Sequence, residues 1–214
     1  MNKYEGNKLF KILNEASDWI IRVIIVNVLT IIMMLPLITF IPALTSGYKI
    51  MSDALNKDEA KLFTSFFKTF KEEIGKKLSL SVIVIIIIGL SFYNNRLYAQ
   101  ALEAGKGIFY NIGYYLTLVL IIGTSMVTMY LPLVLIERKE ASLKEIMKLS
   151  FYLSGKYFFK TFLIALVVLI PVLMFFTSVT IFLFIFMGVS VPLLLIALLT
   201  KKTRIYLKES SSHD

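Results

Sequence analysis

Apolar residues in this chain run in long blocks, and charges sit between the blocks rather than within them. Residues 23–48 carry no charge over 26 positions, 78–95 over 18, 107–136 over 30 and 161–200 over 40. A bilayer core about 30 Å thick needs roughly 20 apolar residues in a helix. Each block therefore predicts at least one membrane span. The 40-residue block would reach about 60 Å as one helix, so it folds back once. The polar cluster Thr177, Ser178 and Thr180 marks the turn. The pattern predicts an all-α, polytopic transmembrane helical bundle in one membrane domain over 1–214. Its five spans lie at about 19–40, 78–98, 108–136, 161–177 and 180–199, followed by a tail over 201–214.

The prolines refine this reading. Pro36 and Pro42 fall at the end of the first block, where Pro42 suits the first turn of a new helix. Pro171 and Pro192 read as kinks within spans, which neighbouring helices tolerate. The stretch from 19 to 48 is too short for two crossings, and a re-entrant bend of the first segment stays open as an alternative.

Between the spans the period changes. In 59–77, Leu62, Phe63, Phe66, Phe67, Phe70 and Ile74 recur at helical spacing, with five lysines interleaved. Residues 140–158 carry a similar stripe at Leu143, Ile146, Met147 and Phe151. Both read as basic amphipathic helices, lying at the membrane interface or packed as connectors of the bundle. An offset of 81 aligns Glu59-Ala60-x-Leu62 with Glu140-Ala141-x-Leu143, Phe70 with Phe151 and Ile83 with Ile164. The organisation of amphipathic helix, span out and span back thus occurs twice, as in many transport proteins.

Composition supports a membrane setting. The chain is 57% hydrophobic over 214 residues, beyond the 45–50% usual for soluble chains. The net charge of +9 would point to nucleic acid in a soluble protein. Here the basic residues flank apolar blocks, so they read as topology signals and contacts for anionic lipid headgroups, and nucleic acid is not expected. Segments 41–77, 137–160 and the C-terminal tail hold seven, six and four Lys or Arg, against five on the other side of a five-span arrangement. That bias predicts the N-terminus outside and the C-terminus in the cytoplasm. The lysines of the N-terminal segment would suit the opposite placement, with an N-terminus inside and a re-entrant first segment. The first 18 residues show no apolar core with a small-residue cleavage site, so no cleavable signal is expected.

Candidate chemistry is sparse. There is no Cys, and the one His, His213, lies in a Ser-rich tail. Metal sites, cofactors and His- or Cys-based nucleophilic catalysis are therefore not expected. No GxxxxGK[ST] loop occurs, and no catalytic constellation is apparent. Ionisable groups inside a span are functional candidates by default, and Arg22, three residues inside the first expected span, is the candidate. Asp18 lies one turn before it, at ion-pair spacing. Asn27, Thr30, Asn94, Asn95 and Asn111 are polar groups suited to interhelical hydrogen bonds. Tyrosines near span ends read as an aromatic belt.

The segment Leu35-Pro36-Leu37-Ile38-Thr39-Phe40-Ile41-Pro42-Ala43, the later Phe66-Phe67-Lys68-Thr69-Phe70 and the Tyr-Leu-Pro-Leu run at 130–133 resemble the YesL-like bacterial membrane proteins. Ile41 departs from that pattern, which often has Gly there. Asp18, Arg22, Asn27, Pro36, Thr39, Pro42, Phe66 and Phe70 are the candidate residues on these grounds. The resemblance implies a bacterial cell membrane and an association with carbohydrate uptake, so components of a carbohydrate ABC transporter are the expected partners. It supplies no catalytic or binding residues. The resulting expectation is an accessory or regulatory membrane protein. The alternative is a permease subunit with its own substrate path.

Overall fold

Proline and threonine end the first helix. α1 (Lys3–Met34) stops where Pro36 follows, because proline disfavours helical geometry in the residue before it and lacks an N–H. The computed structural model describes residues 3–56 and 61–211. A single 3₁₀ turn at Leu37–Thr39 leads into α2 (Phe40–Leu55). Thr39 Oγ1 donates to the carbonyls of Met33 at 2.5 Å and Pro36 at 2.6 Å, which satisfies acceptors that the end of α1 leaves free. Pro42 lies in the first turn of α2, as expected. The expected first span of 19–40 is corrected: the apolar helix is Phe10–Met34, 25 residues, and the chain turns before residue 40.

The remaining helices are α3 (Leu62–Lys71), α4 (Ile74–Glu103), α5 (Ile108–Glu137), α6 (Leu143–Lys156), α7 (Phe158–Leu173), α8 (Ser178–Met187) and α9 (Ser190–Ser211). No strand occurs among the described residues. α4 and α5 each have 30 residues and, like Phe10–Met34, are long and apolar enough to cross a membrane. Two bent pairs, α6–α7 at 102° and α8–α9 at 59°, raise the number of such spans from three to as many as five. The chain is thus an all-α bundle of membrane-spanning character.

Capping chemistry explains the breaks. Gly105, at φ 73°, turns the chain between α4 and α5, in the left-handed region that glycine enters without strain. Ser142 and Glu145 form a reciprocal capping box at the start of α6. Thr177 caps α8 by accepting from the Thr180 N–H, and Thr180 Oγ1 donates to the Met174 carbonyl at 2.7 Å. The expected turn in the 40-residue block is therefore made by the expected residues. The expected spans 161–177 and 180–199 are corrected in their bounds. α7 ends at Leu173, and a second break at residues 188–189 divides the last span. Pro192 falls in the first turn of α9, where a missing N–H costs nothing, rather than at a mid-span kink. Residues 201–211 continue α9 instead of forming a separate tail. His213 lies outside the described residues.

α2 is the hub. Twelve of its sixteen residues are buried, although its sequence is only half apolar. It packs on α1, α3, α4, α5 and α9. Gly47 makes the tightest of these crossings possible. A Cβ there would come within 2.6 Å of Leu193 on α9 and 2.8 Å of Thr30 on α1. α3 uses Phe66 and Phe70 as core residues, while Phe63 and Phe67 point outward. α3 is thus a packed connector with a second, unpartnered aromatic face. The repeat is visible as the order of amphipathic helix, helix, helix in both halves. It does not hold residue by residue: Phe70 is 9% exposed and its counterpart Phe151 is 67% exposed. Glu59 and Ala60 lie outside the described residues.

Candidate functional site

Three helix ends meet around Arg204. Its Nε donates to Glu137 Oε1 at 2.5 Å, at the end of α5, and its Nη1 donates to Ser52 Oγ on α2 at 2.5 Å. Nη2 lies 4.0 Å from Asp53 Oδ1, which also accepts from Lys49 at 2.7 Å. The side chains of Arg204, Glu137 and Asp53 are 12%, 5% and 9% exposed. One turn closer to the N-terminus of α9, Thr200 donates to the Ile196 carbonyl at 2.7 Å, so Tyr48 Oη donates to Thr200 Oγ1, also at 2.7 Å. Two cations and two anions balance, so the cluster locks α2, α5 and α9 together without offering a free charge. The expected tail is corrected, since Arg204 continues α9, whereas Arg22 lies, as expected, within the apolar Phe10–Met34 helix. The partners lie 67 and 152 positions from Arg204, beyond the reach of any local pattern. The available signal was Asp53 and Lys49 spaced four apart at the end of a segment that is otherwise uncharged.

A second set of contacts lies beside this cluster. Lys139 binds Glu72 at 2.6 Å, and Lys76 donates to the Lys139 carbonyl at 2.9 Å. The hydrogen bond from Lys139 holds the Glu72 carboxyl below the usual carboxylate range. Lys77 donates to the Thr69 carbonyl. Glu73 takes a left-handed conformation, φ 51°, at the sharp step from α3 to α4. The Glu72–Lys139 and Arg204–Glu137 contacts place the segments 41–77, 137–160 and the end of α9 at one end of the bundle. These are the three basic segments that the charge count assigned to one side.

At the α8–α9 break, Asn27 of α1 acts as a clasp. Its amide nitrogen donates to the carbonyls of Phe184 at 2.9 Å and Ile185 at 2.8 Å. Its oxygen accepts from the N–H groups of Val189 at 2.7 Å and Ser190 at 2.9 Å. One fully buried side chain thus satisfies the orphan Ile185 acceptor and two orphan donors, and adds a second bond to the Phe184 carbonyl, which already accepts the Gly188 N–H at 2.9 Å. Elsewhere, Asn95 joins α4 to α5 through Thr117 at 2.9 Å, and Tyr130 reaches Thr161 at 3.0 Å.

Between α4–α5 on one side and α7–α9 on the other, with α2 below, lies a cavity of about 700 Å³. Its lining is hydrocarbon apart from Tyr48, Ser125 and Thr128. Among the described residues, no group of three His, Cys, Asp or Glu could hold a metal ion.

The sequence candidates do not form one site. Asn27 is the clasp, Pro36 and Thr39 build the α1–α2 turn, Pro42 opens the hub helix, and Phe66 and Phe70 are core. Arg22 lies over the ring of Trp19, 6.0 Å from its centroid, and the expected ion pair with the exposed Asp18 does not form.

A family model described as a protein of unknown function, DUF624, matches residues 23–95. That stretch spans the last three turns of α1, α2, α3 and most of α4. No curated protein and no solved structure matches the chain.

Proposed function

We propose that this membrane protein is an accessory or regulatory component that works beside a carbohydrate uptake system in a bacterial cell membrane and does not move solute itself. The observation that carries the reading is the state of the interior polar groups. Asn27, Tyr48, Tyr130 and Arg204 each spend their hydrogen bonds on other parts of the same chain, and the large cavity is lined by hydrocarbon. A sugar path needs free donors and acceptors to replace lost hydration, and these walls do not supply them. The family match covers two of the three motifs in which the resemblance to YesL-like proteins is read, at 35–43 and 66–70. The bacterial setting and the link to carbohydrate uptake are drawn from that resemblance. The reading assigns no catalytic step to the chain. The clustering of basic segments at one end supports a cytoplasmic C-terminus and an external N-terminus.

The permease reading draws on one feature, the broken α8–α9 helix, since discontinuous helices form substrate sites in many transporters. Here Asn27 occupies the backbone groups of the break, and among the described residues the buried Ser190 hydroxyl is the one side-chain group there without a partner.

Crosslinking in native membranes tests the proposal, with photoreactive residues replacing the exposed Phe63 and Phe67 of α3. Recovery of membrane subunits of a carbohydrate transporter is the expected result. Recovery of nothing but further copies of this chain would reject it.

A further inference from the structure

The 700 Å³ cavity lies among helices long and apolar enough to cross the bilayer. Three side chains in its lining carry hydroxyls, and all three are engaged. Tyr48 bonds to Thr200 at 2.7 Å, Ser125 donates to the Ile121 carbonyl at 2.8 Å, and Thr128 donates to the Thr124 carbonyl at 2.7 Å. A polar solute entering there would give up hydration without replacement. Water fares no better, because a buried water needs about two to four polar partners. Hydrocarbon needs none and gains dispersion contacts with the walls.

One wall opens sideways. Val168 and Val172 of α7 line the cavity and are 37% and 55% exposed. That surface belongs to the apolar part of a bent candidate span, so what lies beyond it in a membrane is lipid tail. Size is no obstacle, since an apolar cavity of about 150 Å³ already holds a benzene molecule.

We infer that this cavity binds an acyl chain of a bilayer phospholipid, which enters laterally past Val168 and Val172 and becomes part of the packed bundle. The inference is independent of the accessory role, because either an accessory protein or a permease can hold such a chain.

The test uses the full chain in lipid nanodiscs containing phosphatidylglycerol with a diazirine midway along one acyl chain. After illumination, adducts are mapped by mass spectrometry. Adducts on Met129 and Ile88, which line the cavity, are expected alongside adducts on the outward-facing Leu116 and Phe162. Two filling variants, Val168→Trp at the mouth and Ser125→Phe inside, are expected to lose the Met129 and Ile88 adducts and keep the outer ones. Adducts confined to outer residues in the wild type would overturn the inference. So would cavity adducts that persist in both variants, or labelling of Met129 by a water-soluble diazirine instead. Native mass spectrometry showing a retained small hydrophobic molecule and no phospholipid would also overturn it. If one variant does not yield a monodisperse protein, the wild-type map and the other variant still decide.

Discussion

Asn27→Ala is the substitution with the most sharply defined cost. The alanine removes four hydrogen bonds of 2.7–2.9 Å and strands the Ile185 carbonyl and the Val189 and Ser190 N–H groups of the α8–α9 break, while the Phe184 carbonyl keeps the Gly188 N–H. Side-chain hydrogen bonds inside membrane proteins average about 0.6 kcal/mol each, so four give a lower figure of about 2–3 kcal/mol. Groups stranded in hydrocarbon cost several kcal/mol each, which sets an upper limit that repacking or water would lower. A loss of about 2–4 kcal/mol is expected. On the scale of soluble domains of about 200 residues, where 1 kcal/mol shifts Tm by roughly 2–4 °C, this corresponds to about 5–15 °C. Thermal loss of the monodisperse peak of detergent-purified protein measures it. Asn27→Asp separates the two halves of the clasp. It keeps the acceptor but sets a carboxylate against the Phe184 and Ile185 carbonyls, so it is expected to be at least as damaging as alanine. In the naturally Cys-free chain, a cysteine at Met187, which is 38% exposed, should react faster with maleimide when Asn27 is absent. An alanine variant within about 1 °C of wild type, with unchanged labelling, would refute the reasoning.

Arg204→Met strands Glu137 in the interior, while Asp53 keeps Lys49, and is expected to cost about 3–5 kcal/mol, with added Glu137→Gln recovering part of the loss, read by the same thermal assay. Gly47→Ala drives a Cβ against Leu193 and Thr30 and is expected to cost about 1–3 kcal/mol, eased by pairing it with Leu193→Ala. The lowered Glu72 carboxyl contributes stability that is full above its unfolded value near 4.5 and fades as the pH falls through the lower folded value. Solvent screens this pair, so the effect is small. Glu72→Gln should flatten the decline in thermal midpoint between neutral pH and the acid range, and an unchanged slope would show that the pair does not contribute.

The spans were legible because lipid imposes a length and a polarity that single residues announce. Charge-free runs located α4 and α5 closely, and Thr177 with Thr180 marked a real turn. The hub helix was harder to see. Residues 40–55 look half polar, yet Thr45, Ser46 and Ser52 are buried, because α2 touches helices on nearly every side and its hydroxyls bond within or between helices. No periodicity encodes that. The break at 188–189 was also hidden, since Gly188 in an apolar run signals nothing by itself. What permits the break is Asn27, more than 150 residues earlier. Arg204 was misread for the same reason: a basic residue after a span looks like a topology signal until the fold brings Glu137 and Asp53 to it. The short motif around Pro36 and Thr39, by contrast, is local chemistry. Even so, the first span was expected to run through it to residue 40, and Pro42 at the start of α2 was the part read in place.

Asn27, Tyr48, Tyr130 and Arg204 spend their hydrogen bonds within the bundle and the large cavity is lined by hydrocarbon, so transport by the protein alone is the direct test. Purified chain reconstituted in liposomes, challenged with a panel of radiolabelled mono- and oligosaccharides, should accumulate no more label than empty liposomes do. Saturable uptake of any one sugar by the isolated protein would contradict the accessory role and favour a substrate path of its own.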